Sequence, residues 1–233
     1  MCVILNNFTD SIMFSDDLSS NYLKIGKFTC RTVFVLGVTY AVTTLLGFLS
    51  LKSPQDPIGN PYFTIMEILT ILIAAFVAIS MVAVHYYASP VDKIYSLSSV
   101  IFMSLMAGIT SSVHFVILAI NQQGQADQIV NFSLLFSFKW LSVAYALDIL
   151  AWDWFFALSF LFASFIFRTG RREKFIRTLM IISGLLSLVG LMGVPLDNVQ
   201  VRNIGIIGYA IIAPVVFLLI GNVLGQTNTK RLS

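Results

Sequence analysis

Apolar and polar residues do not alternate along this chain; they come in blocks. Six apolar stretches lie at roughly 30–51, 62–88, 95–120, 141–167, 175–195 and 204–225. Each holds the roughly 20 apolar residues needed to cross a hydrocarbon core about 30 Å thick. The connectors between them carry turn chemistry, as in Ser53-Pro54-Gln55-Asp56-Pro57, Ser89-Pro90, Asn121-Gln122-Gln123-Gly124 and Thr169-Gly170. Unbroken blocks predict helices, because a membrane barrel needs short strands that alternate lipid-facing and lumen-facing residues. The expected fold class is therefore all-α transmembrane. It is a six-helix bundle over 23–225, with tails at 1–22 and 226–233.

One stretch strains this count. Ile129 to Phe167 is 39 residues, too long for one crossing at about 1.5 Å per residue. Two short spans would give seven helices. The alternative is one span preceded by an interfacial or re-entrant segment at 127–139, ending at Lys139-Trp140, where an indole suits the headgroup level. Charge favours the second reading. Lys24, Lys27, Arg31, Lys93, Arg168, Arg171, Arg172, Lys174, Arg177, Lys230 and Arg231 all fall on one side of a six-span chain, and only Lys52, Lys139 and Arg202 on the other. Eleven against three predicts that both termini and the Arg168–Arg177 connector are cytoplasmic.

Composition points the same way. Of 233 residues 58% are hydrophobic and 11% charged, with mean hydropathy +0.88, whereas a soluble domain carries about 25% charged residues. A net charge of +3 carried at the ends of apolar blocks sets orientation; it does not predict nucleic acid as a partner. The start MCVILNN has no basic n-region and reads as a tail rather than a signal peptide. Cys2 and Cys30 match no metal or redox spacing, and no disulfide is expected. Ser183, Ser187 and Gly190 form a small-residue stripe that allows close helix approach, and Pro214 should disturb the sixth helix. The basic RTGRREKFIR connector reads first as a topology anchor beside anionic lipid.

Ionisable residues inside a membrane are costly and mark function or deliberate pairing. Five fall in the blocks: Glu67, His85, His114, Asp148 and Asp153. Counting along antiparallel helices puts Glu67, His114 and Asp148 about 9–10 Å outside the midplane, a shared level in the outer half. Consecutive helices are usually neighbours, so His114 and Asp148 should lie within hydrogen-bonding or one-water distance. Asp153 falls near the midplane. It is about 140° around an α-helix from Asp148, so one of the two should face the site and the other a neighbouring helix. Thr110 and Ser111 lie one turn from His114, while Arg202, Asn203 and Tyr209 enter from the sixth span. Glu67, His114, Asp148, Asp153, Thr110, Ser111, Arg202, Asn203 and Tyr209 are thus the candidate ligand- or ion-binding residues.

Three functional readings stay open. One is a small transporter or ligand-binding protein with a polar site in the outer half. A second is a membrane enzyme; Glu67, His114 and Asp148 could ligate a divalent metal with an open position for water, although no H-E-x-x-H motif is present. No cofactor is otherwise expected. The third is a non-catalytic subunit or sensor whose polar cluster pins helices together. Bis-histidine haem needs His85 and His114 at one depth, which they do not share. Serine hydrolase chemistry lacks G-x-S-x-G, and the sixth span has no lysine for retinal. The expected partners are the lipid bilayer and a polar ligand or ion.

The strings Gly108-Ile109-Thr110-Ser111-Ser112-Val113-His114-Phe115, Leu147-Asp148-Ile149-Leu150-Ala151-Trp152-Asp153-Trp154-Phe155-Phe156 and Asn203-Ile204-Gly205-Ile206-Ile207-Gly208-Tyr209 resemble a group of uncharacterised bacterial multi-pass membrane proteins. The resemblance covers about residues 30–225. It implies a bacterial inner membrane and brings no activity.

Overall fold

The computed structural model describes the backbone over residues 2–53, 56–122, 131–136, 140 and 142–232. Side chains are described between 21 and 227, outside 121–122 and 132–133. Helix α1 spans Cys2–Leu49 and α2 Tyr62–Tyr87; a 3-10 turn at Pro90–Asp92 leads into α3, Lys93–Gln122. After the short α4 (Phe132–Phe136), α5 (Val143–Ile149) runs through a π-helical turn at Leu150–Phe155 into α6 (Phe156–Ser164). Helix α7 is Gly170–Leu191. Helix α8 (Val199–Ile206) passes through a second π turn, Ile207–Ile212, into α9 (Ala213–Leu232). Among the described residues six helical stretches are long and apolar enough to cross a membrane: Asn21–Leu49, Tyr62–Tyr87, Pro90–Ile120, Val143–Ser164, Gly170–Leu191 and Val199–Thr227. This is the expected six-span helical membrane protein. The tail expected at 1–22 differs in form, because α1 already begins at Cys2.

The spans pack in chain order and the ring closes. Helix α1 lies against α2, α2 against α3, α3 against α6, α6 against α7, α7 against α8 and α9, and α9 against α1. On α2 the buried face reads Glu67, Thr70, Ala74, Val77, Met81 and Val84, steps of three and four that keep one stripe inward. Met81, Met103, Met106, Phe156, Phe160, Phe217, Ile220 and Leu224 fill the centre. Large apolar residues such as Phe28, Phe48, Ile101, Leu105 and Phe115 stay exposed around the outside, as lipid rather than water permits. Hydroxyls stitch the helices: the Ser99 hydroxyl donates to the Ser159 carbonyl and the Ser159 hydroxyl to the Ser99 carbonyl, each at 2.8 Å.

The long fourth block resolves into one span plus a preceding segment. Of 127–139, residues 127–130 and 137–139 lie outside the described residues. Helix α4, with five residues, is about 7.5 Å long and far short of a crossing. Trp140 follows, its indole N–H donating to the Asp197 carboxylate at 2.7 Å. Pro214 sits one residue into α9, just past the second π turn. Its ring removes a donor and crowds the preceding turn, and the helix accommodates it by widening.

Candidate functional site

The site is assembled at one end of the bundle by four spans. Its most demanding member is Arg202, and local sequence explains its place. Asp197 adopts the left-handed conformation (φ 46°), which a short polar side chain tolerates. The Asn198 side chain then caps α8, accepting from the Gln200 and Val201 amides at 2.9 and 3.2 Å. Gly190, on the small-residue stripe of α7, and Gly193 just beyond that helix admit α8 at backbone contact. A methyl at Gly190 would sit 2.7 Å from the Gly205 backbone, and one at Gly193 would sit 2.6 Å from the Arg202 nitrogen. Arg202 is thereby held almost wholly buried.

From Arg202 a line of charged groups runs across the bundle. Its Nη2 lies 3.9 Å from Asp148 Oδ2 and its Nε 3.9 Å from Asp153 Oδ2. Asp148 Oδ1 lies 3.4 Å from His114 Nε2, and His114 Nδ1 lies 2.8 Å from Glu67 Oε2. The rings of Tyr145 and Tyr209 flank the guanidinium, with centroids 4.7 and 6.0 Å from its Cζ, within cation–π range. Trp152 lies against Tyr209 with ring centroids 5.2 Å apart. The 3.9 Å contacts are ion pairs but too long for hydrogen bonds. Both oxygens of fully buried Asp153, and Arg202 Nε, have no hydrogen-bond partner among the described residues.

The π turn changes the expected geometry of the two aspartates. On an α-helix Asp148 and Asp153 would diverge. Here the bonds run i to i+5, as in the Phe156 amide to the Ala151 carbonyl, so the wider turn brings positions five apart closer to one face. Both carboxylates consequently meet the same guanidinium, and the expectation that one would face away is corrected. Gly205 makes room for the second. A methyl there would fall 2.1 Å from Asp153 Oδ1.

Glu67, His114, Asp148, Asp153, Arg202 and Tyr209 are therefore brought together, and the expected His114–Asp148 contact is present. Three other candidates are not part of the line. Thr110 is buried but its hydroxyl points to Met106 Sδ at 3.6 Å. Ser111 is half-buried, and Asn203, next to buried Arg202 on α8, is exposed. His85, whose Nδ1 lies 2.9 Å from Ser96 Oγ, stands apart at the other end of α2. As metal ligands, Glu67, His114 and Asp148 do not converge: the imidazole separates the carboxylates, one on each ring nitrogen. Among the described residues no group of three or more His, Cys, Asp or Glu side chains is placed to hold a metal ion.

Sequence reading missed Gly205 and Tyr40. Tyr40 lies on α1, which packs against α2, and the titration of its hydroxyl responds to the charges of Glu67 and Asp148. Fold and site together define a six-span helical membrane protein with a buried acid–base line. No family model, curated protein or solved structure matches this chain, so the class rests on its own residues.

Proposed function

We propose that this protein binds a small cation, the proton included, at the Glu67–His114–Asp148–Arg202–Asp153 line, as a small transporter or ion-binding membrane protein. One observation carries the reading: among the described residues the charges do not balance. Three carboxylates meet one arginine and one histidine. Even with His114 counted as a cation, one negative charge is left over, and with His114 neutral there are two. An uncompensated charge in a membrane interior is strongly unfavourable, so the resting state takes up a positive charge. Asp153, buried and without a hydrogen bond among the described residues, is the natural acceptor. π turns recur at functional sites, and both of those here border this line.

The positive-inside asymmetry supports a cell membrane with both termini inside, and the resemblance supports a bacterial inner membrane. In that orientation the site lies in the outer half. A single cysteine at Gly170 should react with membrane-impermeant reagents only after the cytoplasmic face is opened; labelling in intact cells would reverse the topology. For the site, ligands that bind only the folded state raise thermal stability. Purified protein in detergent should be stabilised by Na⁺ or K⁺, or by mild acidification, and Asp153→Asn and Glu67→Gln should each abolish or weaken that response. A wild-type melting temperature flat to all three, or a response unchanged in both variants, overturns the reading.

A further inference from the structure

At the end of the bundle away from the acid–base line, α1, α7 and α9 border an open cavity of about 740 Å³. Lys27, Arg31 and Arg172 line it together with the polar Asn222 and Gln226, while Phe175, Leu219 and Val223 supply apolar wall. None of its lining residues among the described ones is acidic. The packing is arranged to put two cations there. Lys27 and Arg31 are four residues apart on α1, and Gly221 and Gly225 have the same spacing on α9. A methyl at Gly221 would lie 3.1 Å from Cys30 Cβ and 3.3 Å from the Lys27 carbonyl; one at Gly225 would lie 3.0 Å from Lys27 Cδ. The glycines let α1 come in close and let the Lys27 side chain fold across α9. Asn222 Oδ1 accepts from Arg31 Nη2 at 3.4 Å, which holds the guanidinium over the opening.

We propose that this cavity binds the phosphate-bearing headgroup of an anionic phospholipid. The shape of the chemistry selects that occupant. A soluble anion would use the three cations but not the apolar wall. A lipid uses both, with its phosphodiester among Lys27, Arg31 and Arg172 and its first acyl carbons against Leu219, Val223 and Phe175. Basic pockets between membrane helices at this level suit such headgroups, and a guanidinium matches phosphate in a bidentate manner. The inference does not depend on the cation reading of the opposite end.

Native mass spectrometry of the full chain tests it, after exchange into mixed phosphatidylglycerol and phosphatidylcholine of matched acyl chains. Wild-type protein should retain phosphatidylglycerol selectively. Each of Lys27→Gln, Arg31→Gln and Arg172→Gln should weaken retention about five-fold, and the triple variant on the order of a hundred-fold. Arg171→Gln with Lys174→Gln, which removes neighbouring charge outside the cavity, should leave retention within about two-fold. Equal retention of the two lipids by wild type overturns the proposal. So does an equal loss in the neighbouring-charge variant, which would make the attraction diffuse. Displacement of the lipid by glycerol phosphate would assign the cavity to a soluble anion instead. Should the triple variant fail to fold, the single variants carry the same test.

Discussion

His114 and His85 sit near opposite ends of the bundle and live in different worlds. His114 is buried between two carboxylates, 2.8 Å from Glu67 and 3.4 Å from Asp148. His85 is half-buried; its ring meets the Ser96 hydroxyl at 2.9 Å, and its carbonyl accepts from the Lys93 ammonium. The surroundings follow suit. Along the acid–base line every charged group is nearly enclosed, so each depends on its neighbours. At the basic end Arg168, 46% exposed, reaches Asp92 at 3.1 Å, and Glu173 accepts from Tyr87 at 2.7 Å and from Thr169. Those groups keep solvent or hydroxyls as alternatives. Burial, not residue type, separates a charge that can turn to solvent from one that depends on its protein neighbours.

The largest expected effect breaks the acidic end at its single arginine. Arg202→Met leaves Asp148 and Asp153 without their shared cation. Removing one partner of a buried ionic set costs about 3–5 kcal/mol, which unfolding in detergent would register. Adding Asp153→Asn should recover part of that loss by removing one stranded charge. Arg168→Met serves as the comparison at the basic end. Equal losses for Arg202→Met and Arg168→Met would erase the distinction between the two ends.

Gly205→Ala should come next. Its methyl would be driven to 2.1 Å from Asp153 Oδ1, and overpacking of that kind typically costs about 1–3 kcal/mol. Gly108 is the control, because a methyl there meets nothing within 4 Å. Gly108→Ala should be neutral or stabilising by up to about 1 kcal/mol, through helix propensity. A tolerated Gly205→Ala with unchanged cation response would mean that Asp153 is free to move and that its position is not specified.

The contrast between these two glycines also marks where sequence reading stops. Block lengths and the lysine–arginine asymmetry made six spans legible, because lipid enforces both helix and length. Residue counting from antiparallel spans made the shared level of Glu67, His114 and Asp148 legible, since depth follows rise alone. What rise cannot give is azimuth through an irregular turn. Leu150–Phe155 carries no proline to announce its π geometry, so Asp148 and Asp153 were expected to diverge. Asn203 and Ser111 were grouped with the site by depth, although rotation about their helices removes them from it. Gly205 was invisible because its contribution is the atom it lacks.

A double-mutant cycle sharpens the comparison further. His114→Ala and Asp148→Ala should couple by about 0.5 kcal/mol or more, because they share one network. The matching cycle at the basic end, His85→Ala with Ser96→Ala, should couple less, since a half-exposed ring replaces one hydroxyl with water at a small net difference. Additivity at His114 and Asp148, with clear coupling at His85 and Ser96, would invert the proposed roles of the two ends.

The smallest effect is expected at Arg168 and Asp92. The geometry is good at 3.1 Å, and Ser89 adds a second contact, its hydroxyl donating to the other Asp92 oxygen at 2.7 Å. Arg168 nevertheless keeps about half its surface exposed, and its ring neighbours Tyr95 and Phe165, each 5.9 Å from Cζ, share its attraction. Exposed pairs are worth about 0–1 kcal/mol, because water and salt compete for both partners. Arg168→Gln should therefore lower stability by under about 1 kcal/mol, and the loss should shrink in high salt as screening removes what the pair supplied. Asp92 is buried but would keep the Ser89 hydroxyl as a partner, so its carboxylate would not be left without a hydrogen bond. A loss of several kcal/mol that persists in high salt would show that Asp92 depends on Arg168 as Asp148 and Asp153 depend on Arg202, and the basic end would then hold a second enclosed ionic site.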